Sequence, residues 1–268
     1  MQSINKTLEY HELLMALDNI ESIKLDSKLP EGFKYVFYSD EKDKIEWAKI
    51  HISSGEFTSY KRAFNYFDII YKKFENELNK RCFFIEYKGE KIATATISPS
   101  SEYGYSCVID WLAIKKEYQG YKLSKPLIYK CLEVAKDLGN NKILLHTQTH
   151  TWLAAKLYLD IGFDPFYTND IKGWRILKTI TNHDKLDEIE SIAEKQMYDL
   201  LTINVIENLD KIHKDYNYEI WHKDNQNDVF VRENDNFYYY KFYDNGRRLD
   251  FIEGYRDVRY ELFEYKIG

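Results

Sequence analysis

The chain has 268 residues, 44% of them hydrophobic and 31% charged, with a formal net charge of −6. That length can bury a core and carry a second module, while the negative balance argues against general nucleic-acid binding, which needs a basic face to neutralise phosphates. Three cysteines, Cys82, Cys107 and Cys131, stand far apart in apolar runs and fit neither a disulfide framework nor a zinc site, and no uninterrupted apolar run reaches the roughly 18 residues of a membrane span.

In chain order, residues 1–31 read as a polar helix around "LEYHELLMALDNI" followed by an extended arm ending near Pro30. The N-terminal stretch lacks the apolar core of an export signal, so a reducing cytoplasm is the expected compartment. "FKYVFYSD" predicts a strand, and Asp40 is a suitable N-cap for a helix through "EKDKIEWAKIHIS". A second helix is expected over "SYKRAFNYFDIIYKKFENELNK", where Phe64, Phe67, Ile70, Tyr71 and Phe74 recur at helical spacing. "RCFFIEYKGEKIATATISP" reads as two strands joined by a tight turn and "YSCVIDWLAI" as a third.

The loop "KKEYQGYK" then opens a helix, "LSKPLIYKCLEVAKDLG", closed by Gly139. "KILLHTQT" predicts a strand, "TWLAAKLYLDIG" a short helix and "GWRILKTI" a closing strand. Apolar strands alternating with helices point to an α/β domain with a mixed sheet over residues 32–180. Residues 181–268 differ: Leu186, Ile189, Ile192, Ala193, Met197, Leu200 and Leu201 follow helical spacing, and short aromatic strands separated by "NDN" and "DNG" follow. This segment holds 20 acidic and 12 basic residues, a net −8, which leaves +2 for residues 1–180. A helix and an antiparallel meander are expected there, packed on the main domain or on a second subunit as a homodimer.

A loop that enters a helix exposes unpaired backbone N–H groups at the positive end of the macrodipole, and both attract phosphate. Gln119, Gly120, Tyr121, Lys122, Leu123, Ser124 and Lys125 occupy that turn. "EYQGYKLSKPL", "VIDWLAI" and "THTWLAAKLYLDIGF" together resemble the GNAT superfamily of acyl-CoA-dependent N-acyltransferases. Gln119 matches the first position of that family's pyrophosphate loop, and Tyr158 stands four residues before the Gly162–Phe163 pair. The chain departs from the pattern at Lys122 and Ser124, which stand where the family has a glycine and a second small residue, and at Thr151, where asparagine is frequent.

The resemblance covers roughly the middle 150 residues, as one domain would. It implies a mostly antiparallel mixed sheet flanked by helices, acetyl-CoA as co-substrate and direct transfer to an amine. Under it, Leu112, Ala113 and Ile114 hold the pantetheine arm through their backbone, residues 119–125 and Thr151 line the cofactor site, and Tyr158 protonates the departing thiolate. Glu56, after Gly55, and Asp110, in the strand before the loop, are the candidate bases, with His146 and His150 beside them at a strand end. The His-x-x-x-His spacing lies on a strand end without a third ligand, so no metal is expected. The replaced loop glycine leaves a second reading, a non-catalytic module that binds CoA or a partner chain.

Overall fold

In the computed structural model the described residues are 4–166 and 171–193, together with five C-terminal strands between residues 219 and 267. The chain divides into two compact units, Met1–Ile189 and Glu190–Gly268. The first is built on a seven-stranded sheet in the order β2-β3-β4-β5-β6-β1-β7. Its strands are β1 (Glu12–Leu17), β2 (Phe33–Phe37), β3 (Cys82–Tyr87), β4 (Glu90–Pro99), β5 (Cys107–Ile114), β6 (Ile143–Gln148) and β7 (Asp164–Pro165). Every neighbouring pair is antiparallel except β5 and β6, which run parallel. This is the mixed, mostly antiparallel α/β sheet that the sequence implies.

Helices α1 (Glu41–Ser54), α2 (Tyr60–Tyr71), α3 (Leu78–Arg81), α4 (Ser124–Asp137), α5 (Trp152–Ile161) and α6 (Ile171–Thr181) complete the unit. Asp40 caps α1 as expected, its carboxylate accepting from the Lys42 N–H. Two cores flank the sheet. One gathers Leu127, Cys131, Leu132, Tyr158, Phe163 and Trp174 with the sheet residues that meet α4, α5 and α6, and the other gathers Trp47, Ile50, Phe67, Tyr71 and Phe84 around α1 and α2.

Three local expectations are corrected. "ELLMAL" is a strand, not a helix: five of its six residues are buried between β6 and β7, so a slot inside the sheet overrides the helical preference of Leu, Met and Ala. Because β1 fills the place beside β6, "GWRILKTI" is not a closing strand but part of α6, whose Ile171, Trp174 and Leu177 lie at helical spacing. Gly173 lets α6 approach β1, since a Cβ there would stand 2.6 Å from the His11 Cβ and 3.0 Å from the Leu13 Cδ2. The long second helix breaks at Phe74, whose φ of −141° leaves the helical region, and resumes as α3.

The second unit is a five-stranded antiparallel sheet of β8 (Glu219–His222), β9 (Asp228–Glu233), β10 (Asn236–Tyr243), β11 (Arg248–Arg256) and β12 (Tyr265–Ile267). Its order, β11-β10-β9-β8-β12, is a meander through four strands. The fifth departs from it and returns to the far edge beside β8. Of the helix expected over residues 186–201, residues 189–193 are helical, and the rest of the expected span lies outside the described residues.

Candidate active site

The site begins with a fault in the sheet. Thr94 faces Ala113 across β4 and β5, yet Thr96 faces Asp110, so Trp111 and Leu112 together oppose Ala95. This two-against-one bulge bends β5. Trp111 takes a φ of +49°, a left-handed conformation that costs a bulky residue about 1–2 kcal/mol. Beyond the bulge β5 leaves its parallel neighbour: the two pair only at Val108–Leu144 and Ile109–Leu145. Leu112 and Ile114 therefore turn backbone groups towards a gap instead of to β6, whereas Ala113 faces Thr94 and turns its backbone to β4.

Asp110 stands where the strands part. Ser98 donates to its Oδ2 at 3.0 Å. Burial pushes its carboxyl up to about 6, against the lowering influence of the Ser98 hydroxyl and of His146. Such a group is mostly ionised at neutral pH and still able to take a proton. Ser98 belongs to a hydroxyl row with Thr94 and Thr96 on one buried face of β4. Thr94 donates to the Phe83 carbonyl at 3.1 Å, and Thr96 accepts from the Tyr71 hydroxyl at 3.0 Å. Sequence reasoning missed this row, although polar residues at every second position of "ATATIS" were its visible signal.

At the far end of β5 the loop is rooted by side chains. The ammonium of buried Lys115 reaches Glu90 at 2.6 Å, and the Tyr118 hydroxyl donates to the same carboxylate at 2.9 Å, together holding that carboxyl below its ordinary range. Gln119 turns its amide back to the Ile114 carbonyl at 3.2 Å, which closes the turn. Gly120 and Lys122 both adopt left-handed backbone, with φ of +93° and +60°. Lys122 thus keeps the conformation a glycine would supply. Among the described residues, the N–H groups of Tyr121, Lys122 and Leu123 donate to no protein acceptor, and α4 begins without a side-chain cap. A cleft of about 540 Å³ opens here, lined by Gln119, Gly120, Ser124, Leu153, Leu157 and the Lys156–Asp160 pair. Unpaired donors, a positive helix end and a cleft of that size fit the diphosphate of a nucleotide cofactor.

The remaining predicted residues divide. Tyr158 is buried on α5, its ring edge-on to Phe163 at 5.7 Å, and burial with the nearby Cys131 thiol drives its hydroxyl pKa well up. It stays protonated and keeps a proton to donate. Glu56 follows Gly55, the left-handed C-cap of α1, and its carboxyl is raised by crowding and pulled down by Lys6. Thr151 spends its hydroxyl on the Gln148 carbonyl at 3.1 Å. His146 lies between Glu12 and Glu102, at 2.9 and 3.0 Å, whereas His150 reaches the Leu8 carbonyl at 2.8 Å. The two histidines thus serve different partners, and no cluster of three His, Cys, Asp or Glu is placed for a metal among the described residues.

Sequence reasoning also missed the wall beside Asp110. Phe57 stacks on Trp111 at 5.3 Å, and Tyr66 meets the same indole edge-on at 4.9 Å. Behind them His51 is buried against Trp47, and burial lowers its pKa to about 3 against the raising influence of the Trp111 backbone. It is a neutral aromatic spacer.

The model of the Acetyltransferase (GNAT) family matches residues 46–163. Comparison with curated proteins gives no match. Among solved structures, the chain is similar to a GCN5-related N-acetyltransferase from Sphaerobacter thermophilus, with 13% identity, a TM-score of 0.47, and coverage of 60% of this chain and 51% of that one. An acetyltransferase from the GNAT family of Colwellia psychrerythraea gives 12% identity and a TM-score of 0.43 over 59% and 54% of the two chains. A tandem GNAT protein from the clavulanic acid biosynthesis pathway gives 12% and 0.42 over 57% and 50%. The chain therefore spans about half the length of these structures.

Proposed function

We propose, from the match of residues 46–163 to the model of the Acetyltransferase (GNAT) family, that the protein transfers an acetyl group from acetyl-CoA to an amine by direct attack. The observation that carries this reading is the sequence of three features along β5 and the loop after it: Asp110 where β5 parts from β6, backbone of Leu112 and Ile114 turned to the gap, and the N–H groups of the loop at 119–125. Acetyl-CoA would be held by the loop N–H groups and by the free edge of β5, as a diphosphate and an amide-bearing arm require. Asp110 accepts the proton that the attacking nitrogen loses. N–H groups facing the gap donate to the oxygen that gains charge as the C–N bond forms. When the C–S bond breaks, Tyr158 donates a hydrogen bond to the departing sulfur. Its raised pKa makes full transfer of that proton less favourable than sharing it.

The reading of a non-catalytic module rested on the lost loop glycine. Lys122 weakens it, because its left-handed backbone preserves the turn and its ammonium adds a charge a phosphate can use. The test is thiol release from acetyl-CoA with a panel of primary amines. Amine-dependent release that Asp110→Asn suppresses is the expected result. Binding of acetyl-CoA with no release for any amine would instead favour the non-catalytic module.

A further inference from the structure

The bulge in β5 places two consecutive side chains on one face of the sheet, where a regular strand would alternate them. Asp110 accepts from Ser98, in the β4 row whose Thr96 takes the hydroxyl of Tyr71 from α2, so Asp110 faces α1 and α2. Trp111 faces the same helices: its indole meets Trp47 at 5.7 Å, His51 at 5.3 Å, Phe57 at 5.3 Å and Tyr66 at 4.9 Å. The wall is not sealed. Phe57 and Trp111 are half-buried, and Tyr66 is 42% exposed. A proton acceptor and an open aromatic surface thus spring from adjacent Cα atoms, about 3.8 Å apart.

The rim around this pair is acidic and fixed in place. Residues 5–11 lie along the turn between β6 and α5: the Asn5 N–H donates to the His150 carbonyl at 2.8 Å, the Thr149 N–H to the His11 carbonyl at 3.0 Å and the His11 N–H to the Thr149 hydroxyl at 3.0 Å. That strap sets Glu12 beside His146, which also meets Glu102, and the charges of His146 and Glu102 are felt at Asp110. On the helix side Glu56 directly precedes Phe57. Its side chain is exposed at the surface, yet surrounding protein raises its carboxyl, as at the mouth of a hollow, and its charge is felt at the Tyr10 hydroxyl on the strap. Four carboxylates, Glu12, Glu56, Glu102 and Asp110, thus stand here against the cation of Lys6 and the imidazole of His146.

We propose that this face selects the acceptor: a primary amine joined by a short alkyl spacer to a flat aromatic ring, with no carboxylate of its own. This deepens the acetyl-transfer reading above and rests on it. The ring lies against Phe57, Tyr66 and Trp111, where stacked and edge-on contacts are both on offer, while the nitrogen reaches Asp110. Because the acid and the indole belong to neighbouring residues, the spacer is about two or three carbons long. A polyamine needs free carboxylates along its length, but Glu12 and Glu102 are already engaged by His146 at 2.9 and 3.0 Å. The same rim repels an acceptor that carries a carboxylate, such as a free amino acid. The transfer replaces the acetyl C–S bond with a C–N bond, the proton of the nitrogen passing to Asp110 and the bonding pair leaving with the CoA sulfur.

The test is thiol release from acetyl-CoA by the full chain with 2-phenylethylamine, propylamine, spermidine and phenylalanine. The wild type is expected to show a kcat/KM for 2-phenylethylamine at least tenfold above that for each of the others. Tyr66→Ala, at an exposed position, and Phe57→Leu should each bring the ratio of 2-phenylethylamine to propylamine towards one, through KM, with a thermal melt showing the fold kept. Glu56→Gln should narrow the preference over phenylalanine. Phe37→Ala removes an exposed ring on the edge strand β2 and should leave every ratio as it is. A wild-type ratio near one, a higher value for spermidine or phenylalanine, or a full ratio in both ring variants overturns the inference while acetyl transfer stands. Release with none of the amines overturns the acetyl-transfer reading and this inference with it.

Discussion

The two ends of β5 differ in chemistry although the strand is only eight residues long. At the loop end the offered groups are backbone N–H donors and ammonium groups, while at the bulge end they are the Asp110 and Glu56 carboxyls beside the aromatic wall of Phe57, Tyr66 and Trp111. One end suits a polyanion and keeps its donors near water. The other raises carboxyl pKa values by burial, which suits proton transfer. On the proposed function, one bent strand separates the binding of a charged cofactor from the deprotonation of an amine, and each end can be perturbed alone.

The largest effect is expected at the bulge. Asp110→Asn keeps the size of the side chain and an acceptor for Ser98 but removes the base, so kcat should fall on the order of 10²–10⁴-fold. Acetyl-CoA affinity at the other end should stay the same. The wild-type rate at low substrate should rise with pH through about 6 and level off above it. The stability sign follows from the same shift. The folded carboxyl titrates at about 6 and the unfolded one near 4, so the folded state binds more protons between them and loses stability as pH rises through that window. Asp110→Asn should therefore melt above the wild type at pH 8 and show less difference at pH 4. A pH-independent rate together with unchanged kcat in the variant would remove Asp110 from the chemistry.

Tyr158→Phe comes next, with kcat lower on the order of 10²-fold and acetyl-CoA affinity kept, because the ring still packs on Phe163. A loss of affinity equal to the loss of rate would make Tyr158 a packing residue instead. Gly173→Ala tests the frame: its Cβ would press on His11 and Leu13, and urea unfolding should show a loss of about 1–3 kcal/mol. No loss would mean that α6 does not depend on that close approach.

The smallest effect concerns His51. With its folded pKa lowered to about 3, the unfolded state binds more protons between about pH 6.5 and 3, and stability falls as pH drops through that range. His51→Phe should flatten that part of the melting profile without changing the rate at pH 8. A profile as steep as the wild type's would assign the acid sensitivity elsewhere.

What the sequence disclosed follows from how local its signals are. The turn into α4 was legible because Gln119, Gly120 and the capless start of the helix lie within a few residues, and so were Asp40 at α1 and Gly162 at the end of α5. β1 was not. "ELLMAL" has helical composition, and only its distant partners Ile143–Gln148 make it a strand. The reading of α6 failed with it, since "GWRILKTI" becomes a strand only if the place beside β6 is open. Nothing in "VIDWLAI" announced the left-handed Trp111 or the part it plays in opening the gap, because a bulge depends on the register of β4.

The central claim is that the loop at 119–125 holds the diphosphate of acetyl-CoA, and ligand-dependent thermal unfolding tests it most directly. At acetyl-CoA one hundred times its dissociation constant, binding to the folded state alone adds about 2.7 kcal/mol of stability. The midpoint should rise accordingly, and bulky apolar replacements at Gln119 and Gly120 should remove the rise while leaving the unliganded midpoint close to the wild type's. An unliganded and a liganded protein that melt at the same temperature in millimolar acetyl-CoA would contradict the account.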